Sequence, residues 1–186
     1  MSNLDPSKPF EPLSIAVLTV SDTRALAEDK SGALLSERIK AAGHKLADRV
    51  LVKDEVKAIR AKVKAWIANK NIDVVITTGG TGFTGRDVTP EAVEPLFEKK
   101  MEGFSAVFHQ ISMQKIGTST IQSRALAGSA KSTFIFCLPG SPGACRDAWD
   151  EILVHQLDLR HRPCNFVEIL PRLGEHLKRG KLKAAK

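Results

Sequence analysis

The residue types best suited to chemistry concentrate in one stretch, Thr77-Thr78-Gly79-Gly80-Thr81-Gly82-Phe83-Thr84-Gly85-Arg86-Asp87. Its glycines let backbone N–H groups approach a ligand without Cβ obstruction, and Thr77, Thr78, Thr81 and Thr84 add hydroxyls suited to phosphate or heterocycle oxygens. The plainer reading is a tight surface turn. Glycine at this density costs chain entropy, however, and is expected where something must come close. By letter, Gly80-x-Gly82-x-x-Gly85 matches a dinucleotide fingerprint, which would point to a nicotinamide-dependent dehydrogenase. Its place after the third strand, with Pro90 setting the helix start beyond the motif, argues against that. No Gly-Lys-Ser/Thr follows the glycines, so it is not a P-loop either.

Two carboxylates accompany the loop. Asp87 closes it three residues before Pro90, where an aspartate serves equally as a helix cap or as a chemical group, and Asp54 after the second strand has the same two readings. Together they could hold a magnesium ion or orient a phosphate nucleophile. Pro139-Gly140-Ser141-Pro142-Gly143 supplies a second rigid turn at a helix start, an anion-binding geometry that is also a common turn. Ser123-Arg124 offers a hydroxyl and a guanidinium for an anionic ligand, with a surface ion pair as the alternative for Arg124.

These residues must be positioned by the elements between them. Ser14–Val20 is a β-rich run ending in Ser21-Asp22-Thr23, and Leu35, Ile39 and Ala42 give a helix over 32–42. Lys45–Val52 alternates weakly, as an edge strand does, and Asp54 opens a helix with Val56, Ile59, Val63, Trp66 and Ile67 on one stripe. A buried strand over 73–78 runs into the glycine loop, and Pro90 opens a short helix. A helix over 104–115, a strand over 132–138 and a helix over 144–157 follow. Alternating βα units of this size predict a three-layer α/β domain with a mostly parallel central sheet. In such sheets ligands bind outside the carboxyl ends of the strands. That selects the loops at 21–24, 53–55, 79–90 and 139–143.

The block from Thr77 to Gly82, followed by Arg86-Asp87-Val88-Thr89-Pro90-Glu91-Ala92, resembles the signature of the MoaB/MogA proteins of molybdenum cofactor biosynthesis and the related domains of gephyrin. The likeness extends to Thr19-Val20-Ser21-Asp22, Asp54, Ser123-Arg124 with Ala127-Gly128, and Leu138-Pro139-Gly140-Ser141-Pro142. The late segment Arg162-Pro163-Cys164-Asn165-Phe166 resembles the MoaB branch. The resemblance implies a trimer or hexamer that binds molybdopterin and Mg-ATP and transfers AMP to the molybdopterin phosphate, releasing pyrophosphate. It implies functional roles for Asp54 and Asp87, including Mg2+. It also implies ligand contacts from Ser21, Asp22, Thr78, Gly79, Gly80, Thr81 and Gly82, a pterin-side pair in Ser123 and Arg124, and nucleotide contacts from Pro139, Gly140 and Ser141. A non-catalytic protein of the same fold that holds molybdopterin, or delivers it to other cofactor biosynthesis proteins, is the alternative.

Composition narrows the remaining classes. With 186 residues, one domain with a full core is expected, divided into an extension over 1–12, the domain over 13–174 and a basic tail over 175–186. The formal charge of +7 draws five positive charges from Lys178, Arg179, Lys181, Lys183 and Lys186, and there is no tyrosine for base stacking, so nucleic acid is not an expected partner. The longest apolar run, 134–138, is too short to span a bilayer, and no apolar segment follows a basic start. The expected location is the cytoplasm. The 3 cysteines show no paired spacing and read as reduced thiols, and the 5 histidines show no metal-ligand spacing.

Overall fold

A computed structural model describes residues 4–23 and 25–175 of the chain. Arg24 of the first ligand-side loop and the lysines of the basic tail lie outside the described residues.

Six strands form one sheet in the order β2-β1-β3-β6-β5-β4. These are β1 (Ser14–Val20), β2 (Lys45–Val52), β3 (Val74–Thr78), β4 (Lys99–Lys100), β5 (Leu126–Ala130) and β6 (Thr133–Leu138). β2, β1, β3 and β6 are mutually parallel neighbours, while β5 runs antiparallel to both β6 and β4. The parallel part is as expected. β5 and β4 are additions, because Leu-Ala-Gly-Ser-Ala carries no β-branched residue and β4 has only 2 residues.

Alternation along the central strands decides what each face binds. Ile15, Val17, Val74, Ile76, Phe134 and Phe136 face one side with α1 (Lys30–Ala41), α4 (Glu102–Ile116) and α5 (Pro142–Ala148), through Leu35, Ile39, Phe104, Phe108, Cys145 and Ala148. Ala16, Leu18, Val75 and Ile135 face the other side with α2 (Val56–Ala68) and α3 (Thr89–Val93), through Ile59, Val63, Trp66, Ala92 and Val93. This is why the inner strands read as unbroken apolar runs: both faces are covered. The largest fully buried side chains include Trp149, Phe108 and Phe136, each contributing about 3 kcal/mol of apolar burial.

The helix after β6 departs from expectation. The predicted helix over 144–157 starts earlier, at Pro142, and passes through a π-turn at Trp149–Leu153 before α6 (Val154–Gln156). The N-terminal extension is tied down in part, since Asp5 pairs with Arg162 at 2.7 Å and Lys8 pairs with Glu168. It docks beside α7 (Phe166–Ile169). Cys137 and Cys145 are buried and Cys164 is exposed, and all three are free thiols. Among the described residues no helix is long and apolar enough to cross a membrane.

Candidate functional site

Since β1 has β2 on one side and β3 on the other, the order in which successive parallel strands are added reverses at β1, and the loops leaving β1, β2 and β3 converge there. The convergence is held by hydrogen bonds between loops. The Asp54 backbone N–H donates to Asp22 Oδ1 at 3.1 Å, and Val88 N–H donates to Asp54 Oδ1 at 3.3 Å. Arg86 forks onto Asp22, with Nε and Nη2 each 2.8 Å from a carboxylate oxygen. Asp54 was expected to open α2; instead Glu55 precedes the first turn and the Asp54 carboxylate faces the exit of the glycine loop.

Asp22 and Asp54 are neighbours with opposite proton affinities. The Arg86 fork, aided by the Asp54 N–H, holds Asp22 below the usual carboxylate range. Burial pushes Asp54 above it, opposed by the Val88 N–H and reinforced by the charges of Asp22 and Asp87.

The glycine loop follows from steric demand at particular positions. Gly79 and Gly80 have φ of +100° and +64°, and a Cβ on Gly80 would lie 2.5 Å from both Asp54 Oδ1 and Thr89 Oγ1. A Cβ on Gly82 would lie 2.8 Å from Asp87 Oδ2. The backbone therefore presses directly against both aspartates. Gly85, by contrast, has open space around its would-be Cβ. Asp87 is not a helix cap: its carboxylate accepts from Thr84 N–H at 2.9 Å and Thr84 Oγ1 at 2.6 Å, and α3 has no side-chain cap. Thr89 anchors the loop instead, donating from Oγ1 to the Gly79 carbonyl at 2.8 Å and from its N–H to the Gly80 carbonyl at 2.9 Å. Because the helix begins only there, beyond Gly85, the dinucleotide-fold geometry is not formed.

The turn after β6 lies against the same loop. Gly79 N–H donates to the Leu138 carbonyl at 3.1 Å, Thr78 Oγ1 donates to the Pro139 carbonyl at 2.9 Å, and a Cβ on Gly140 would sit 3.2 Å from Gly79 Cα. Ser31 Oγ donates to the Gly140 carbonyl at 2.8 Å, and Ser141 caps α5 by accepting from Ala144 N–H. Ser21 continues the β1–β2 ladder, its N–H 3.0 Å from the Val52 carbonyl.

On the far side of the glycine loop is a cleft of about 480 Å³ between Gly80–Gly82, Asp87, the Pro139–Ser141 turn and a 3-10 segment, Gly117–Gln122. Thr120 and Ser123 line it, and the hydroxyl of each is buried without a hydrogen-bond partner. Buried hydroxyls cost free energy unless a partner is supplied, which makes these two candidate contacts for the polar edge of a ligand. Thr120 escaped the sequence reading; its only signal was the polar, glycine-led run Gly117-Thr118-Ser119-Thr120 after a helix. Arg124 lies beside the cleft, yet its guanidinium turns to the loop, reaching the Gly82 and Asp87 carbonyls at 2.8 Å each.

The site is thus two-sided, with the cleft and its hydroxyls on one flank of Gly80 and the Asp22–Asp54–Arg86 cluster on the other. Comparison with known proteins identifies the family to which this fold belongs. Residues 16–159 match the MoCF_biosynth family model, described as a probable molybdopterin binding domain. The chain is 52% identical over 160 residues to molybdenum cofactor biosynthesis protein B of Escherichia coli K12, covering 86% of this chain and 94% of that one. It is 44% identical over 142 residues to the Bacillus cereus protein of the same name, covering 76% and 84%. Among solved structures it is similar to the tungsten cofactor synthesizing protein MoaB from Pyrococcus furiosus, with a TM-score of 0.71 and 33% identity over 88% of this chain and 98% of that one. The strand-end loops, the glycine-loop geometry and these matches together place the chain in the MoaB/MogA family of molybdenum cofactor biosynthesis proteins.

Proposed function

We propose that the protein acts in molybdenum cofactor biosynthesis as a molybdopterin adenylyltransferase, binding molybdopterin in the cleft and Mg-ATP against the carboxylate cluster. The observation that carries this reading is the two-sided site. Gly80 and Gly82 let the main chain lie against Asp54 and Asp87, so the cleft and the carboxylate cluster adjoin at Asp87, where the reacting phosphates of the two substrates would meet.

In the reaction an oxygen of the molybdopterin phosphate attacks the α-phosphorus of ATP, and the bond from that phosphorus to the bridging oxygen breaks. AMP becomes joined to molybdopterin, and pyrophosphate leaves with the bonding pair. No covalent nucleophile of the protein is needed, so its task is positioning and charge stabilisation. Thr120 and Ser123 hold the polar edge of the pterin, and the glycine-loop N–H groups receive phosphate oxygens. Asp54 and Asp87 fit a hard cation: two carboxylates with substrate phosphates and water satisfy Mg2+, whereas no group of three or more His, Cys, Asp or Glu among the described residues offers a cage of its own. Bound there, Mg2+ would supply positive charge against the pyrophosphate leaving group. The elevated proton affinity of Asp54 suits the role, because ionisation of a half-buried carboxyl among like charges is completed by a cation.

Assembly belongs to the same reading. α4 and the following segment expose Val107, Met113, Ile116 and Ile121, the last 69% exposed, and this apolar surface is proposed to bury in a trimer or a hexamer built from trimers. The deciding experiment is single-turnover mixing with molybdopterin and Mg-ATP, with light scattering on the same sample. Formation of adenylylated molybdopterin with pyrophosphate is expected; tight molybdopterin binding without turnover would leave a holding or delivery protein, and a monomer mass across dilution would refute the assembly.

A further inference from the structure

Arg124 stands at the junction of the 3-10 segment and β5, and its described contacts run to the glycine loop and the helix after it. Its backbone N–H donates to the Thr81 carbonyl at 2.9 Å. Nε donates to the Gly82 carbonyl at 2.8 Å, Nη2 donates to the Asp87 carbonyl at 2.8 Å, and Nη1 pairs with Glu91 in the first turn of α3. The ring of Phe83, itself 71% exposed, lies 5.4 Å from the guanidinium carbon.

All three guanidinium nitrogens therefore address protein acceptors, and the paired Glu91 carboxylate offsets the charge, held below the usual range chiefly by Arg124. A cation so occupied is poorly placed to receive an external phosphate. It is well placed to fix the outer span of the loop: Phe83, Thr84, Gly85 and Arg86 are exposed, and besides the local Thr84–Asp87 bonds that span is tied by the solvent-facing Arg86–Asp22 pair.

We propose that Arg124 is a positioning residue. Its fork clamps the chain from Gly82 to Asp87, and so holds the Asp87 carboxylate between the cleft and the Asp22–Asp54 side. It acts through the loop rather than on the ligand, which replaces its expected role as an anion-binding guanidinium. The effect on turnover rests on the adenylyl-transfer reading; the clamp itself does not. Lysine keeps the charge but cannot span two carbonyls and a carboxylate with one ammonium.

The test compares the parent with Arg124→Lys and Glu91→Gln. Hydrogen exchange of the ligand-free proteins reads the clamp at residues 84–89, where the N–H groups of Thr84, Asp87, Val88 and Thr89 are hydrogen-bonded. In Arg124→Lys their exchange should rise by about tenfold or more, with β1, β3 and β6 unchanged and Glu91→Gln giving a smaller rise. Unchanged exchange at 84–89 in Arg124→Lys overturns the proposal, and so does a rise spread through the sheet with a lower melting temperature, which would make Arg124 a general scaffold residue. In the second arm, maximal single-turnover rate should fall about tenfold or more while molybdopterin affinity stays within about twofold. Weaker affinity with the saturated rate preserved would identify a ligand-binding cation and overturn the clamp. A parent that transfers no AMP would remove the enzyme reading alone, since exchange and molybdopterin affinity still decide the role of Arg124.

Discussion

The two flanks of the glycine loop offer different chemistry by different physics. The flank carrying Asp22, Asp54 and Arg86 is charged and partly solvated, and it sets proton affinities by juxtaposition: one carboxyl lowered by a guanidinium fork, its neighbour raised by burial and like charge. The flank carrying Thr120 and Ser123 is neutral apart from Asp87, and it presents buried hydroxyls that lack partners. The first arrangement favours an ion and phosphates, whose interactions are long-range; the second discriminates by shape and short hydrogen bonds. One loop serves both because glycines at 80 and 82 keep it thin.

The largest effect that could break this division is at Asp87, which belongs to both flanks. Asp87→Asn is expected to lower single-turnover AMP transfer by about a hundredfold or more, the scale of losing one preorganised electrostatic group, with little change in thermal melting. A parent-like rate would remove Asp87 from the chemistry and shift the weight to Asp54.

Next is the thinness of the loop. Gly80→Ala introduces a Cβ 2.5 Å from Asp54 Oδ1 at a φ of +64°. Denaturant unfolding should show a loss of about 2 kcal/mol, and both ligands should bind more weakly. Unaltered stability would mean the loop tolerates a side chain and is not pressed against the carboxylate.

A sharper separation of the flanks comes from Thr120→Val, which removes a buried unpartnered hydroxyl at constant volume. Stability should be unchanged or slightly increased, while molybdopterin affinity falls about tenfold, measured by calorimetric titration. ATP affinity should not move, and equal losses for both ligands would refute the two-sided site.

The smallest effect is in stability against pH at Asp54. A carboxyl whose proton affinity is raised by folding contributes stability that is present below its unfolded pKa and lost as pH rises through the folded value. At neutral pH the ligand-free protein therefore carries a penalty, and Asp54→Asn should melt about two degrees higher, because Asn keeps an acceptor for the Val88 N–H without the charge. The gap between variant and parent should close as pH falls below the raised Asp54 value towards the ordinary carboxylate range. A gap independent of pH would show that packing, not charge, separates them. With Mg2+ and ATP added, the order should reverse.

Much of the parallel half of the fold was legible in the residues. Apolar runs such as Val74-Val75-Ile76 and Phe134-Ile135-Phe136 admit little besides buried strands, and the periodicity of α2 gives its stripe directly. The antiparallel edge was not. Leu126–Ala130 is built of small residues whose strand state follows from pairing with β6, and Gly128 is needed because the Phe97 ring would lie 2.5 Å from a Cβ there.

For the candidate site, the sequence by itself determined which residues suited to ligand chemistry gather in one place: the glycine loop, Asp54, Asp87, the Pro139–Gly143 turn and the Ser123-Arg124 pair all stand beside the cleft or the carboxylate cluster. Glycine density and strand-end position are local properties, and they survive translation into three dimensions. Only the tertiary structure decided what each side chain does there. That Asp54 meets Val88 and that Arg124 grips the loop are settled by partners brought close by the sheet, while Asp87 folds onto Thr84 within its own turn instead of capping α3. Asp54 and Val88 are 34 positions apart, and Arg124 and Gly82 are 42 apart. A side chain's partner is fixed by which strand ends neighbour one another, a global consequence of core packing, so spacing along the chain carries no record of it.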